Sequence, residues 1–201
     1  MARPRDQAAR RTQLTDSALQ AIRDRGVGGL RIRDVAEVAQ VSTGTVHYYF
    51  TDIDRLLHEV HSEACDRFFA ARISAITGVD DARAKLSQMI AAGLPASADD
   101  ATVVALYEID LYKRGDPVHA LLAGALFDRQ VALYLGIIEL GKSQGHFEPR
   151  EPALDIAQNL VALEDAYGMH IILGNRSLPA SRCTQLILGY ARAVTGCDAL
   201  A

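Results

Sequence analysis

The chain has 201 residues, of which 49% are apolar and 23% charged, a globular composition that excludes a disordered or collagen-like chain. Its formal charge of −4 and pI of about 5.8 argue against a generic nucleic-acid or membrane binder. The charge is unevenly distributed, however, because residues 1–33 carry +5 and residues 34–201 carry −9. This asymmetry indicates an anionic partner for the N-terminal segment.

The cysteines and the N-terminus indicate the compartment. Cys65, Cys183 and Cys197 are an odd number without CxxC spacing, which favours free thiols in a reducing cytoplasm. The first residues are polar and lack the apolar stretch of a secretory signal. The longest clean apolar run, residues 131–138, is too short to cross a bilayer, so we expect no membrane partner.

Apolar residues recur at helical spacing along almost the whole chain, and no segment shows the alternation of a strand. Pro and Gly fall between the periodic segments, where helices begin and end. Thr51 followed by Asp54 is typical of a cap for one long helix. The sequence therefore predicts an all-α fold of about nine helices, over residues 8–25, 33–40, 43–49, 52–76, 80–94, 100–113, 117–143, 152–173 and 180–195.

Residues 33–50 are typical of a helix-turn-helix. Val35, Ala36, Ala39 and Val46 can form an apolar seam between two short helices, and Ser42 is placed to cap the second one. The second helix of such a motif enters the major groove of DNA. We expect its outward-facing side chains to be Thr43, Thr45, His47 and Tyr48.

This segment resembles the tetracycline-repressor-like (TetR) family of bacterial transcriptional regulators. The matching residues are Arg33, Asp34, Val35, Ala36, Ala39, Val41, Ser42, Gly44, Thr45, Val46, Tyr48, Tyr49, Phe50 and Leu56. Three positions depart from the family pattern. Gln40 replaces the usual turn glycine, His47 replaces an aromatic residue, and Ile53 stands where a phosphate-binding lysine is usual.

The resemblance implies DNA contacts for a defined set of residues. Arg33 would touch a base edge or phosphate, Tyr48 would hold the backbone, and the N-terminal arginines would reach phosphates or a minor groove. Tyr48 can equally pack the small domain, and Phe50 is expected in the core. The expected DNA-binding residues are Arg3, Arg5, Arg10, Arg11, Arg33, Ser42, Thr43, Gly44, Thr45, His47 and Tyr48.

The resemblance also implies a division into a DNA-binding domain over residues 1–51 and a ligand-binding and dimerisation domain over residues 52–201. Residues 106–122 resemble the subgroup of choline-responsive betaine-synthesis repressors. In the family the last two long helices pair with a second copy, so we expect a homodimer through helices 152–173 and 180–195. Two apolar stripes there suit burial, namely Leu160, Leu163, Tyr167 and Ile171, and Leu186, Tyr190 and Val194.

Several acids lie among apolar residues of the predicted helices. Burying a carboxylate is unfavourable unless it is paired, hydrogen-bonded or protonated. One interpretation is a pocket for a cationic amine, in which tyrosines supply aromatic faces and the acids supply counter-charge. The other is pairing with Lys113, Arg114 or Arg129, or solvent exposure. The candidate ligand-binding residues are Tyr107, Glu108, Asp110, Leu111, Phe127, Tyr134, Glu164, Tyr167 and His170.

His58, His61 and Cys65 share one face of the long helix and are possible zinc or copper ligands. No fourth ligand is near in sequence, so packing or exposure is the favoured interpretation, and we expect no metal or other cofactor. His119 and His146 are expected to be structural, and His170 is the best placed to line a pocket.

The function that the resemblance implies is a ligand-responsive regulator, most simply a repressor, that binds a palindromic operator as a homodimer and is released by a small inducer, for which a cationic amine is the favoured class. The alternative is a ligand carrier or enzyme that retains a helix-turn-helix. No nucleophile elbow, Gly-rich phosphate loop or HExxH pattern supports an enzyme.

Overall fold

The structure is a computed structural model that describes the backbone of residues 4–200 and the side chains of residues 7–200. Over that range it contains nine α-helices and no strand, which confirms the all-α prediction. Apart from the start of α1, each helix begins and ends within two residues of its predicted bounds. The helices are α1 (Pro4–Arg25), α2 (Ile32–Ala39), α3 (Thr43–Tyr49), α4 (Ile53–Ile76), α5 (Ala82–Ala92), α6 (Ala101–Tyr112), α7 (Pro117–Ser143), α8 (Ala153–Ile172) and α9 (Ala180–Thr195).

The cap of α4 differs from the prediction. Asp52 Oδ1 accepts a hydrogen bond from the Arg55 backbone N–H at 2.7 Å, so Asp52 is the capping residue. The expected pair of Thr51 and Asp54 is wrong, because the Thr51 hydroxyl donates to Asp52. The carboxylate of Asp54 is engaged instead by the ammonium group of Lys113.

Packing divides the chain into two compact units. The first contains residues 4–68 and Ala101–Leu122, and the second contains Phe69–Asp100 and residues 123–200. The first unit therefore includes most of α4 and all of α6 besides the three N-terminal helices. The expected division into a DNA-binding domain over residues 1–51 and a ligand-binding domain over residues 52–201 describes function and not packing. That division stays a prediction.

In the first unit α1 packs against α2 and α6, and α2 packs against α3. Val35, Ala36, Ala39 and Val46 are all buried, so the predicted apolar seam is confirmed. Phe50 is fully buried as well, which confirms its place in the core. Burying a side chain of this size contributes about 1.5–3 kcal/mol to folding.

In the second unit one apolar cluster draws on α5, α7, α8 and α9. Leu86, Ile138, Leu160 and Ile187 are fully buried within it. The three cysteines of the chain are free thiols and are buried.

Helix α7 is long and apolar enough to cross a membrane, by length and composition alone. The same composition is common in core helices of globular proteins. Asp128 and Arg129 interrupt the apolar sequence near the middle of the helix. Tyr134, Ile137 and Ile138 are buried in the second unit. Only 28% of the most apolar stretch of α7 is buried, however, so burial of this face accounts for only part of that composition.

Candidate functional site

Helix α3 presents polar side chains to solvent because its apolar side chains face inward. Ser42 Oγ accepts a hydrogen bond from the Thr45 backbone N–H at 3.0 Å, which confirms Ser42 as the cap. Thr45 is half-buried and Val46 is fully buried. On the other side Thr43, Gly44 and His47 are exposed, and Tyr48 is 72% exposed. This face of α3 is free to enter a DNA groove.

The turn between α2 and α3 accommodates Gln40 in a left-handed backbone conformation, with φ 55° and ψ 43°. Its N–H donates to the Glu37 carbonyl at 3.2 Å, and the Val41 N–H donates to the Ala36 carbonyl at 3.0 Å. These bonds end α2 and set the direction in which α3 begins. The Gln40 side chain is exposed, so the missing turn glycine is tolerated at the expense of local strain.

Two neighbouring residues of α2 point in different directions. The Arg33 side chain is 68% exposed, and its Nε lies 3.7 Å from Asp34 Oδ1. Asp34 is buried, and its carboxylate accepts hydrogen bonds from the Arg31 N–H at 2.8 Å and from Arg25 Nη1 at 2.9 Å. Asp34 therefore fixes the start of α2 while Arg33 projects into solvent. An acid three residues after the cap position is the sequence signal that could have predicted this role.

The N-terminal arginines differ in their surroundings. Arg10 is exposed and donates to Gln13 at 2.6 Å. Arg11 is half-buried, and its guanidinium donates to both carboxylate oxygens of Glu59, at 2.6 and 2.8 Å. These hydrogen bonds lower the pKa of Glu59. Arg3 lies outside the described residues, as does the side chain of Arg5.

A groove of about 520 Å³ lies beside α3 in the first unit. It is lined by Gln7, Ala8, Arg11, Tyr48 and Tyr49. The rings of Tyr48 and Tyr49 meet edge to face, with centroids 5.1 Å apart. The groove thus combines a guanidinium with an exposed phenol, groups that both bind phosphate oxygens.

Two of the predicted ligand-binding acids lie in the first unit and have partners there. The Glu108 carboxylate accepts a hydrogen bond from the Val27 N–H at 2.6 Å. Asp110 Oδ1 lies 2.9 Å from His61 Nε2 and 2.7 Å from His119 Nε2. Tyr107 is half-buried and Leu111 is exposed.

The third acid, Glu164, is buried inside the second unit beside Arg72 and Tyr134. Its carboxylate accepts hydrogen bonds from Arg72 Nη1 at 2.8 Å and Nη2 at 3.2 Å, and another from the Tyr134 hydroxyl. Arg72 is 0% exposed and Glu164 is 1% exposed. Burial raises the pKa of Glu164 to about 7 and holds the pKa of Tyr134 above its usual range. The sequence-predicted pair of Tyr134 and Glu164 is thus brought together, with an arginine as its third member.

The partner of Glu164 is not one of the three cations considered from the sequence. Lys113 contacts Asp54, and the Arg129 guanidinium stacks on the Phe69 ring at 4.0 Å. Arg72 was missed, although a signal for its burial exists. It follows Phe68 at i+4 and precedes Ile76 at i+4, so it lies on the apolar face of α4.

The remaining predicted ligand residues lie in the second unit. Phe127 and Tyr167 are half-buried against its core, and His170 is exposed with its Nδ1 3.3 Å from the Asn175 amide. A cavity of about 540 Å³ in this unit has other walls, namely Asp81, Arg83, Ala84, Ser87, Gln88 and Ala199. Ligand binding by the predicted residues therefore stays a prediction.

The histidines of α4 do not meet in the combination considered from the sequence. Cys65 Sγ lies 3.6 Å from His61 Nδ1, but His58 Nε2 faces Asp116 Oδ2 at 3.8 Å. His61 is joined instead by Asp110 and His119, which are distant in sequence.

Comparison with known proteins agrees with this geometry. Residues 14–60 match the family described as bacterial regulatory proteins, tetR family. The HTH-type nicotine-responsive transcriptional repressor HdnoR of Paenarthrobacter nicotinovorans is 27% identical over 186 residues, covering 79% of this chain and 93% of that protein. The HTH-type transcriptional regulator BetI of Burkholderia thailandensis is 34% identical over 96 residues, covering 47% of this chain and 49% of that protein.

A solved structure shares the fold. It is a transcriptional regulator from Saccharomonospora viridis in complex with choline, with a TM-score of 0.84 and 22% identity, covering 92% of this chain and 96% of that one. The segment matched by the family contains α2, α3 and the start of α4, where the capped and exposed helix lies. Residues 14–60 therefore form a domain of the family described as bacterial regulatory proteins, tetR family.

Proposed function

We propose that this chain is a cytoplasmic transcriptional repressor that binds a palindromic operator as a homodimer and is released from DNA by a small cationic amine. The observation that carries the DNA-binding part is the capped helix α3, which keeps Val46 buried and leaves Thr43, His47 and Tyr48 exposed. Polar side chains on an exposed short helix are the groups that read base edges in the major groove.

The neighbouring charges support the same surface. Arg33 is exposed, and a bidentate contact to guanine contributes about 1–3 kcal/mol of discrimination. Tyr48 and Arg11 line the groove beside α3 and would hold the phosphate backbone. Arg3, Arg5 and Arg10 extend the basic character of the segment and compensate for Ile53, where a phosphate-binding lysine is usual.

Dimerisation would place two recognition helices one turn of DNA apart, as a palindrome requires. The candidate interface is formed by α8 and α9, which pack on each other within the chain. Leu163, Tyr167, Tyr190 and Val194 lie on these helices and are only half-buried, so they can be covered by a second copy.

Three observations support a cationic ligand. HdnoR is nicotine-responsive, and the Saccharomonospora viridis regulator holds choline, so two relatives respond to or bind molecules with a cationic nitrogen. The second unit contains a buried carboxylate, Glu164, beside the ring of Tyr134. A ligand ammonium could take the place of one Arg72 hydrogen bond there, with the aromatic ring as a second attraction.

Helix α4 supplies a physical link between the ligand and DNA. It carries Arg72 in the second unit, and in the first unit it begins three residues after Phe50, which ends the recognition helix. A ligand that exchanges with Arg72 at Glu164 would change the contacts of α4. To release DNA, the ligand must bind the non-operator conformation more tightly than the operator-bound one.

The DNA part is tested by selecting duplexes from a random-sequence pool with the full chain. We expect enrichment of a palindrome that is bound at nanomolar concentration, with an affinity that falls steeply as salt is raised. Absence of any enriched sequence would overturn the DNA-binding proposal. Enrichment of an asymmetric single site would overturn the palindromic dimer.

The ligand part is tested by thermal shift and by release of the selected duplex. Nicotine, choline and a polyamine are the cationic probes, and a fatty acid and a neutral lipid are the comparison. We expect at least one amine to raise the melting temperature and to weaken DNA binding. Stabilisation by the anion or neutral lipid alone would reject the amine.

The alternative is a ligand carrier or enzyme that retains a helix-turn-helix. It predicts tight ligand binding or turnover together with DNA binding that does not distinguish the selected duplex from a random one. The relatives compared above are transcriptional regulators, which favours the repressor.

A further inference from the structure

Three side chains of metal-binding type converge in the first unit from three different helices. They are His61 of α4, Asp110 of α6 and His119 in the first turns of α7, and their ligand atoms all lie within 4.8 Å of one another. His61 is fully buried and His119 is 4% exposed, whereas the Asp110 side chain is 40% exposed. The cluster is therefore enclosed by protein on one side and accessible from solvent at Asp110.

We propose that this cluster binds one first-row divalent transition-metal ion, such as Zn²⁺, Co²⁺ or Ni²⁺. The ligands would be Nε2 of His61, Nε2 of His119 and the carboxylate of Asp110. Imidazole nitrogens favour these ions, whereas Mg²⁺ and Ca²⁺ favour sites made of oxygen atoms alone. Three protein ligands leave a position of a tetrahedral ion open to water or another small molecule.

The geometry needs only a small adjustment to accept an ion. Asp110 Oδ1 lies 2.9 Å from His61 Nε2 and 2.7 Å from His119 Nε2. Ligand atoms around a tetrahedral zinc ion with bonds of about 2.1 Å are about 3.4 Å apart. All the ligand atoms lie within 4.8 Å of one another, so the distances that must lengthen are those to Asp110, whose partly exposed side chain can move.

The hydrogen bonds of the two imidazoles allow this exchange. His119 Nδ1 is buried and has no hydrogen-bond partner among the described residues, so the ring makes its hydrogen bond to Asp110 alone. His61 adds only a weak contact between Nδ1 and Cys65 Sγ, at 3.6 Å. Each ring can therefore replace its bond to Asp110 with a bond to the metal without breaking another strong hydrogen bond.

The site would join α4, α6 and α7 inside the first unit, and it does not depend on the proposed amine or operator. The test uses the full chain, stripped of metal with a chelator and titrated with Zn²⁺ by calorimetry and with Co²⁺ by visible absorption. We expect one ion per chain, a Co²⁺ spectrum of low coordination number and a higher melting temperature. Mg²⁺ should produce none of these changes.

Variants identify the ligands. D110N and H119A should each weaken Zn²⁺ binding at least about tenfold, the scale on which even supporting residues of metal sites act. The controls are D116N, which makes the same charge change nearby, and H170A, which removes an exposed histidine of the second unit. D110N keeps the shape of the side chain, so it remains informative if H119A does not fold. No Zn²⁺ binding by the wild type, or equal binding by wild type and D110N, would overturn the proposal.

Discussion

Around α3 the polar side chains point to solvent, whereas inside the second unit the charged side chains are turned inward and bound to one another. Tyr48 and His47 lie on the surface, and the packing of Val46 and Phe50 holds them there. Arg72 and Glu164 are instead almost completely buried and share two hydrogen bonds. The exposed side chains of α3 can contact a partner directly. A ligand can contact Glu164 only after a hydrogen bond between Glu164 and Arg72 breaks.

This contrast predicts which substitutions lower the stability of the fold and which weaken DNA binding. Substitutions on the exposed face of α3 should change DNA binding with little change in folding. Substitutions in the buried network should change folding first, because each removal leaves a charge or polar group without a partner. The predictions below test this division, from the largest expected effect to the smallest.

Breaking the buried pair should produce the largest loss. R72A and E164A should each lower the free energy of unfolding by about 3–5 kcal/mol, since E164A leaves the Arg72 charge buried without compensation and R72A leaves a buried carboxyl group that must bind a proton. The measurement is urea denaturation followed by circular dichroism. E139A is the control, because Glu139 pairs with Lys142 at the surface, where such a pair contributes at most about 1 kcal/mol. Equal losses for E164A and E139A would contradict the account of the interior.

Gly93 should be the next most sensitive position. A Cβ atom at residue 93 would lie 1.9 Å from Glu164 Oε1 and 2.3 Å from Arg72 Nη1, so G93A must displace the pair and should destabilise by about 1–3 kcal/mol. G136A is a matched control, because a Cβ at that helical position meets nothing within 4 Å. The control should be neutral or slightly stabilising. The prediction fails if both variants unfold at the same urea concentration.

The cap of α3 should have a moderate effect. S42A removes the oxygen that accepts the Thr45 N–H and should lower stability by about 1 kcal/mol. S143A is the comparison, because the Ser143 hydroxyl donates to the Leu140 carbonyl at the exposed end of α7. Thermal unfolding of both variants checks the difference, and a larger loss for S143A would contradict the assigned cap.

The smallest effect concerns the turn before α3 and has the opposite sign. Q40G relieves the left-handed strain at φ 55° and should stabilise the chain by up to about 1 kcal/mol, after allowing for the greater freedom of glycine in the unfolded state. Q88G, in the middle of α5, should instead destabilise by about 1 kcal/mol. Denaturation curves for the two variants should therefore shift in opposite directions.

The sequence was sufficient where structure depends on neighbouring residues. Helical spacing predicted the helix bounds, and the Ser42 cap and the burial of Val46 and Phe50 follow from short motifs. The cap of α4 was wrong by one residue because Thr51, Asp52 and Asp54 are all able to cap, and only the backbone geometry selects Asp52.

Partners that are distant in sequence could not be predicted in the same way. The sequence indicated that Glu164 needs an ion-pair or hydrogen-bond partner. That partner, Arg72, lies 92 residues away on a different helix. The histidine cluster teaches the same lesson. The spacing along α4 suggested a group of His58, His61 and Cys65. In the structure, packing instead places Asp110, which is 49 residues away in sequence, beside His61.

The most direct test of the central claim compares DNA binding and folding in the same two variants. H47A changes an exposed residue of α3, and H170A changes an exposed histidine of α8. We predict that H47A weakens binding to the selected duplex at least about fivefold, consistent with about 1–3 kcal/mol per base contact, while both variants keep the wild-type melting temperature. Wild-type affinity of H47A for that duplex, or equal losses in H47A and H170A, would contradict the assignment of α3 as the recognition helix.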